Sequence, residues 1–367
     1  MRTDFSITKL VAVLAIAIPF VLGGLAWAGD GYTVIELGAL KQGGSIVGRQ
    51  LDSTGSQVVG SSGWIHGNDT HAFLWTARTG VRDLGTFQGA DYSEAFGVND
   101  SGTVVGDSNT RETLRAFVWN ATDGMRELSP LPGDSASRAF AINNAGQIVG
   151  YSSGKQGVRA VIWSAKLEVR SLGTLPGGNY SEAYAINNAG QVVGMSRTSS
   201  GSRAFLWTSR DGMLDIGILP GSESCKAVRI NNAGQVVGSC TVGTGSRPFL
   251  WSEEGGMLSV GSLGGRGNAE ALGVNDTGQV VGASETSLGP RAFVWSKAGG
   301  SQDINSLIPS THDVLLVQGL HINNRGQILA VGSVHHDLTH DRQANLDDES
   351  HAGPMHLFLL TPVSSRR

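Results

Sequence analysis

The sequence predicts an all-β fold, a seven-bladed β-propeller built from four-stranded blades of about 44 residues. Three observations carry this reading. The segment Ile186-Asn187-Asn188-Ala189-Gly190-Gln191-Val192-Val193-Gly194 recurs along most of the chain. A tryptophan keeps step with it: Trp75, Trp119, Trp163, Trp207, Trp251 and Trp295 stand 44 residues apart. The two ends of the chain also complement each other, each supplying what the other lacks.

Within one unit, Ser181 to Ile186 alternates as a strand, and Gln191-Val192-Val193-Gly194 follows as a second. Between them Asn187-Asn188-Ala189-Gly190 has Asn first and Gly fourth, the signature of a type I turn closed by a left-handed glycine. Arg203 to Trp207 makes the third strand and Met213 to Gly217 the fourth, before a Leu-Pro-Gly turn. The second strand closes at Gly60, Gly106, Gly150, Gly194, Gly238 and Gly282, with Ala330 in the seventh place. No helical period competes with this pattern.

The run Tyr32 to Leu40 matches a fourth strand and has no blade in front of it. The last unit has strands near Leu320-His321-Ile322, Gln327-Ile328-Leu329 and His356 to Leu360, then stops without a fourth. The N-terminal strand is therefore expected to complete the last blade and close the ring, leaving no free edge. An open solenoid is the alternative, and it would need capping units.

Ahead of the repeats, Arg2 and Lys9 precede the apolar stretch Leu10 to Leu22 and the small-residue site Ala26-Trp27-Ala28. This reads as an export signal spanning residues 1–28, with one propeller over 29–361 and a short tail over 362–367. The product is expected to be secreted or periplasmic, with no stable membrane insertion once the signal is removed. A net charge of −4 offers no basic footprint for nucleic acid. The two cysteines, Cys225 and Cys240, flank one hairpin, so a cross-strand disulfide is expected; free thiols are the alternative.

The third-strand pattern is His71-Ala72-Phe73-Leu74-Trp75 in the first unit. Arg-Ala-Phe-(Val/Leu)-Trp begins at Arg115, Arg203 and Arg291, with variants from Arg159 and Arg247. With the Asn-Asn-x-Gly-Gln-Val-Val-Gly hairpin, the chain resembles the bacterial extracellular HAF-repeat family over nearly its whole length. That resemblance implies export and a repeat fold, and it transfers no catalytic residue. The repeated tryptophans read as packing between blades. The basic residue before Ala-Phe reads as a repeated structural contact.

The first strand of each unit opens on a polar residue: Glu94, Arg138, Glu182, Lys226, Glu270 and Gln318. Innermost propeller strands line the central channel, so these six are expected to ring its mouth. Their charges alternate, which favours pairing between neighbouring blades over a site for one sign of ion. Gly150-Tyr151-Ser152-Ser153-Gly154 matches the G-x-S-x-G nucleophile pattern, but no helix follows it and the match is read as accidental.

Histidine breaks the repeat. All nine fall in the first and last units, which are neighbours in a closed ring. The last unit also carries an insert before its third strand, with His335-His336-Asp337-Leu338-Thr339-His340-Asp341. Together with Trp64, His66, His312 and Asp313 it forms the candidate ligand-binding seam. Imidazole plus carboxylate could hold a divalent metal at His335, His336 and His340. A solvated loop is favoured over that reading, and no cofactor is expected. With no catalytic set, the leading function is a binding or scaffold module for an extracellular or cell-envelope glycan or protein. The alternative is a carbohydrate-active enzyme of the cell envelope using this seam.

Overall fold

The computed structural model describes residues 26–28, 31–40, 44–63, 69–264, 267–309, 313–334 and 355–363. They form the seven-bladed propeller expected from the repeat. Blade 1 comprises β3 (Ser45–Leu51), β4 (Gln57–Gly63), β5 (Thr70–Thr76) and β6 (Gly80–Asp83), after two N-terminal strands, β1 (Ala26–Ala28) and β2 (Tyr32–Leu37). Blades 2 to 6 repeat this order, with innermost strands Ser93–Val98, Asp134–Ile142, Tyr180–Ile186, Ser224–Ile230 and Ala269–Val274.

Blade 7 is closed by the N-terminal strand. Its own strands are Val314–Ile322, Ile328–Val334 and His356–Pro362, and β2 pairs antiparallel with the last of these. Val34 lies opposite Leu360 and Leu37 opposite Leu357, and all four side chains are buried. β1 adds a fifth strand outside β2, within the segment read as the export signal.

Apolar side chains from facing blades make seven clusters, one at each blade junction. Trp207 of blade 4, for example, packs with Val149, Ile162 and Leu175 of blade 3. Trp163 is fully buried and also donates from Nε1 to the Ser129 carbonyl at 2.8 Å. Leu360 takes the tryptophan place in blade 7, paired with Ile328 as Trp163 is with Ile148. Buried serines add polar stitches between blades: Ser181 Oγ accepts the Ala160 amide at 2.9 Å and donates to the Gly173 carbonyl at 2.7 Å.

The hairpin asparagines also join blades. Asn143 Nδ2 donates to the Asn187 carbonyl at 3.1 Å, Asn187 to Asn231 at 3.0 Å and Asn231 to Asn275 at 2.7 Å. The second asparagine carries a parallel set of bonds, with the Asn188 amide donating to Asn232 Oδ1 at 3.0 Å. Gly190 sits at φ 77°, the left-handed conformation the turn requires.

The glycine that closes each second strand answers a different demand. A Cβ on Gly194 would lie 1.9 Å from the Glu182 carbonyl oxygen, and on Gly106 1.9 Å from that of Glu94. The innermost strand leans over this glycine because its register slips there by one residue. In blade 7 Ala330 stands at this place, and the close approach moves to Gly332, where a Cβ would lie 2.3 Å from the Leu315 carbonyl oxygen beside a second register slip between Leu316 and Gln318.

Cys225 and Cys240 lie directly opposite in blade 5 and are joined as a disulfide, S–S 1.97 Å. Ser152 of the G-x-S-x-G match is buried within the strand Ile148–Gly154, where its Oγ accepts the Leu131 amide and donates to Asp134. It is a structural serine of a continuous strand, not a residue on a strand-to-helix turn.

Candidate functional site in the central channel

The register slip recurs in all seven innermost strands, between Gly48 and Gln50, Ala95 and Gly97, Ala139 and Ala141, Ala183 and Ala185, Ala227 and Arg229, Ala271 and Gly273, and Gly319 and His321. Each is a β-bulge that inserts one residue and re-aims its side chain. The seven inserted residues are Arg49, Phe96, Phe140, Tyr184, Val228, Leu272 and Leu320. All of them line one cavity of about 380 Å³ in the channel, with Lys226, Arg229 and Gln318.

The wall of this cavity is uneven. Blades 2 to 4 contribute an aromatic arc, in which Phe140 lies 5.4 Å from Phe96 and 5.4 Å from Tyr184 between ring centres. Arg138 stands over Phe96 at 5.3 Å, and Arg49 over the same ring at 5.4 Å. Blade 1 contributes Arg49, blade 5 contributes Lys226 and Arg229, and blades 6 and 7 contribute Leu272 and Leu320.

Glu94, Asp107 and Glu182, acids near this wall, are already engaged, whereas Glu270 of blade 6 makes no side-chain hydrogen bond or ion pair among the described residues. Arg49 Nε donates to Glu94 Oε1 at 2.6 Å, and Tyr92 donates to Glu94 Oε2 at 2.8 Å. Arg138 makes an ion pair with Asp107, which is fully buried. Burial pushes the Asp107 carboxyl up to about 6 against the opposing pull of Arg138, and the charge of Glu94 adds to the rise. Glu182 accepts hydrogen bonds from both Tyr180 and Tyr184. Burial and that carboxylate together raise the Tyr184 phenol well above its usual range.

Arg229 differs from these. It follows the inserted residue of blade 5, where the other blades have Gln50, Gly97, Ala141, Ala185, Gly273 and His321. Small residues at four of those places leave it room to cross the channel. Its Nη1 donates to the Val228 carbonyl at 2.9 Å and its Nη2 reaches the Arg49 carbonyl of blade 1 at 3.5 Å. Among the described residues no carboxylate lies within ion-pair distance of it. Burial, with Arg49 nearby, lowers its guanidinium to about 10. Burial, with Arg229 nearby, lowers the His321 imidazole to about 3, and His321 Nδ1 is buried without a hydrogen-bond partner.

The six polar residues expected to ring the mouth all lie on innermost strands, but no two of them pair with each other among the described residues. The pairs that do link blades use Arg49 and Asp107. The reason is directional: the side chain at this place leans toward the second strand of the preceding blade. Glu94 thus meets Ser61 at 3.5 Å, and Arg138 meets Asp107.

Of the expected seam, Asp313 is exposed just before Val314–Ile322, while Trp64, His66, His312, His335, His336, Asp337, His340 and Asp341 lie outside the described residues. The insert leaves from Val334, paired with Val314, so its base lies on the face where innermost strands begin. Among the described residues no three His, Cys, Asp or Glu side chains form a metal-binding group. His71 and His356 serve the third strand, bound to Asp83 at 2.9 Å and Glu36 at 2.6 Å. Arg115 does the same with Glu127 at 3.1 Å, whereas Arg159 at the same place in blade 3 pairs with Asp134 of the innermost strand at 2.9 Å.

No protein-family model matches the chain, and no curated protein matches it in sequence. Solved structures resemble it in fold. An oligogalacturonate lyase in complex with manganese superposes with TM-score 0.57 at 12% identity, over 93% of this chain and 96% of that one. Virginiamycin B lyase from Staphylococcus aureus gives 0.56 at 10%, over 90% and 100%. YCF48 bound to a D1 peptide gives 0.52 at 10%, over 95% and 100%. At these identities the likeness concerns the propeller architecture alone.

Proposed function

We propose that the chain is an exported binding or scaffold module that holds an extracellular or cell-envelope partner, a glycan or a protein segment, at the channel mouth. The observation that supports this reading is the channel cavity itself. It combines an aromatic arc, Phe96, Phe140 and Tyr184, with cations on the opposite blades, inside a ring whose junctions are packed and hydrogen-bonded. Such a wall stacks sugar rings or peptide side chains without having to rearrange first. The fold alone decides nothing, since similar propellers include both lyases and a peptide-bound protein.

The test is a glycan and peptide array read with the purified chain, followed by titration calorimetry on any hit. Phe140→Ala and Tyr184→Ala are each expected to weaken a genuine channel ligand by about tenfold or more. Unchanged affinity in both variants would remove the channel from the reading. Export is tested separately: the chain recovered outside the cytoplasm is expected to begin at Gly29.

A further inference from the structure

We infer that the channel cavity is a binding site for a small monocarboxylate with a flat apolar body, its carboxylate seated on Arg229 and its body against the Phe140 and Tyr184 rings. This rests on the reading of the channel as a binding site and names the chemistry it takes.

The first argument is the unmatched cation. The other arginines of the innermost strands have carboxylates: Arg49 has Glu94 and Arg138 has Asp107. Arg229 has two backbone carbonyls, one of them at the 3.5 Å limit. A guanidinium carries five N–H donors in a planar fork. The donors that these carbonyls leave over face the cavity, where no acid among the described residues answers them. Holding a charge there without a counter-charge is costly, and an anion bound beside it offsets that cost.

The second argument is the neighbouring imidazole. His321 Nδ1 is buried and has no hydrogen-bond partner, next to Arg229. His321 lines the pocket of the hairpin asparagines rather than the channel cavity, and as a neutral imidazole it gives Arg229 no counter-charge. The depressed titration of both groups has the same origin: nearby positive charge and burial, with no compensating anion.

The third argument selects the anion. A carboxylate matches the guanidinium fork through two parallel hydrogen bonds. Beside Arg49, Lys226 and Gln318, the rest of the wall is Phe96, Phe140, Tyr184, Val228, Leu272 and Leu320, an apolar and aromatic surface that suits a flat ring better than a fully hydrated phosphate or sulfate. The acids Glu94, Glu182 and Glu270 on the same innermost strands disfavour a dianion. The cavity volume of about 380 Å³ lies at the small end of ligand sites.

The experiment uses the purified full chain and three probes: benzoate, its neutral counterpart benzamide, and inorganic phosphate. Calorimetry is expected to show saturable benzoate binding, benzamide weaker by about tenfold to a hundredfold, and phosphate no tighter than benzamide. Arg229→Met, checked for native circular dichroism, is expected to bind benzoate and benzamide alike. Arg229→Lys, which keeps the charge but not the fork, is expected to fall between. Equal binding of benzoate and benzamide by the unaltered chain overturns the inference without any variant, as does unchanged benzoate affinity in Arg229→Met. Failure of benzoate alongside a Phe140-dependent array hit sinks this inference and leaves the binding reading standing; failure of every probe and every array ligand sinks both.

Discussion

Asn187 Nδ2 donates to the backbone carbonyl of Asn231, one blade on, at 3.0 Å. The same side chain turns its oxygen inward, where Oδ1 accepts the amides of Ala189 at 3.1 Å and Gln191 at 3.0 Å. One amide thus closes a hairpin and ties two blades, a task that Asp, which has no donor, cannot perform.

Asn187→Asp keeps the acceptor and removes the donor. It is expected to lower the unfolding free energy by about 1–3 kcal/mol, read from urea midpoints. Asp52, which stands at this place in blade 1, uses both carboxylate oxygens to accept from Thr54, Ser56 and Gln57, so Asp52→Asn is expected to cost about 1 kcal/mol rather than to stabilise. If Asn187→Asp unfolds at the parent midpoint, the bond between blades contributes nothing.

Asp107 gives the chain a pH dependence of known sign. Its carboxyl is raised from 3.8 to about 6 in the folded protein, so between these values the native state binds more protons than the unfolded state. This group's contribution to stability therefore falls as pH rises from about 4 to about 6, by roughly 2–3 kcal/mol in all. Urea midpoints across pH 4–7 are expected to show a decline in the parent that Asp107→Asn lacks; parallel profiles would contradict the assignment.

The Cys225–Cys240 disulfide spans 15 residues within one blade. Replacing both cysteines by Ala is expected to cost about 3 kcal/mol, mostly by releasing the unfolded chain. The thermal transition should remain single, because the link joins two strands already paired and crosses no blade junction. A second transition in the double variant would show that the link holds blade 5 to the ring.

Deleting residues 32–40 removes β2, with Val34 and Leu37 from the core and the hydrogen bonds to His356–Pro362. The shortened chain is expected to lose its cooperative melt and to self-associate through the bared strand edge. A deletion variant that melts like the parent as a monomer would contradict closure by the N-terminal strand.

Much of this architecture could be read from the residues because it repeats. The 44-residue spacing of the tryptophans, the turn chemistry of Asn187 to Gly190 and the strand-like Tyr32 to Leu40 each encode one local property, and the ring follows from their sum. The bulges escaped that reading. A strand is recognised by alternation, and an inserted residue such as Phe140 changes which face the following side chains take without changing their hydrophobicity. Hence the repeat places Glu94 and Arg138 on innermost strands, but alternation alone does not reveal that their partners are Arg49 and Asp107 rather than each other. Arg229 left a trace that alignment of the seven copies exposes: a long cation where four other blades have Gly or Ala. The histidine-bearing insert belongs to no repeat, so no second copy constrains it.

The asparagine ladder has a direction. It starts where the Ser53 amide donates to Asp100 at 3.2 Å and passes through each blade to the Asp276 amide bonded to Asn324 at 2.8 Å. Among the described residues no such bond joins Asn323 or Asn324 to Asp52 or Ser53, so the circle of amides has a gap between blades 7 and 1. That junction is held by other means: the chain itself crosses it from Leu37 to Ser45, the Leu40 amide donates to Ser62 Oγ at 3.1 Å, and Leu357 and Leu359 pack on Phe73 and Trp75. The seam that only non-covalent contacts close lies inside blade 7, where Tyr32–Leu37 pairs with His356–Pro362. The ring is thus fastened like a belt, and pulling on its two terminal strands should undo the buckle before any junction between blades.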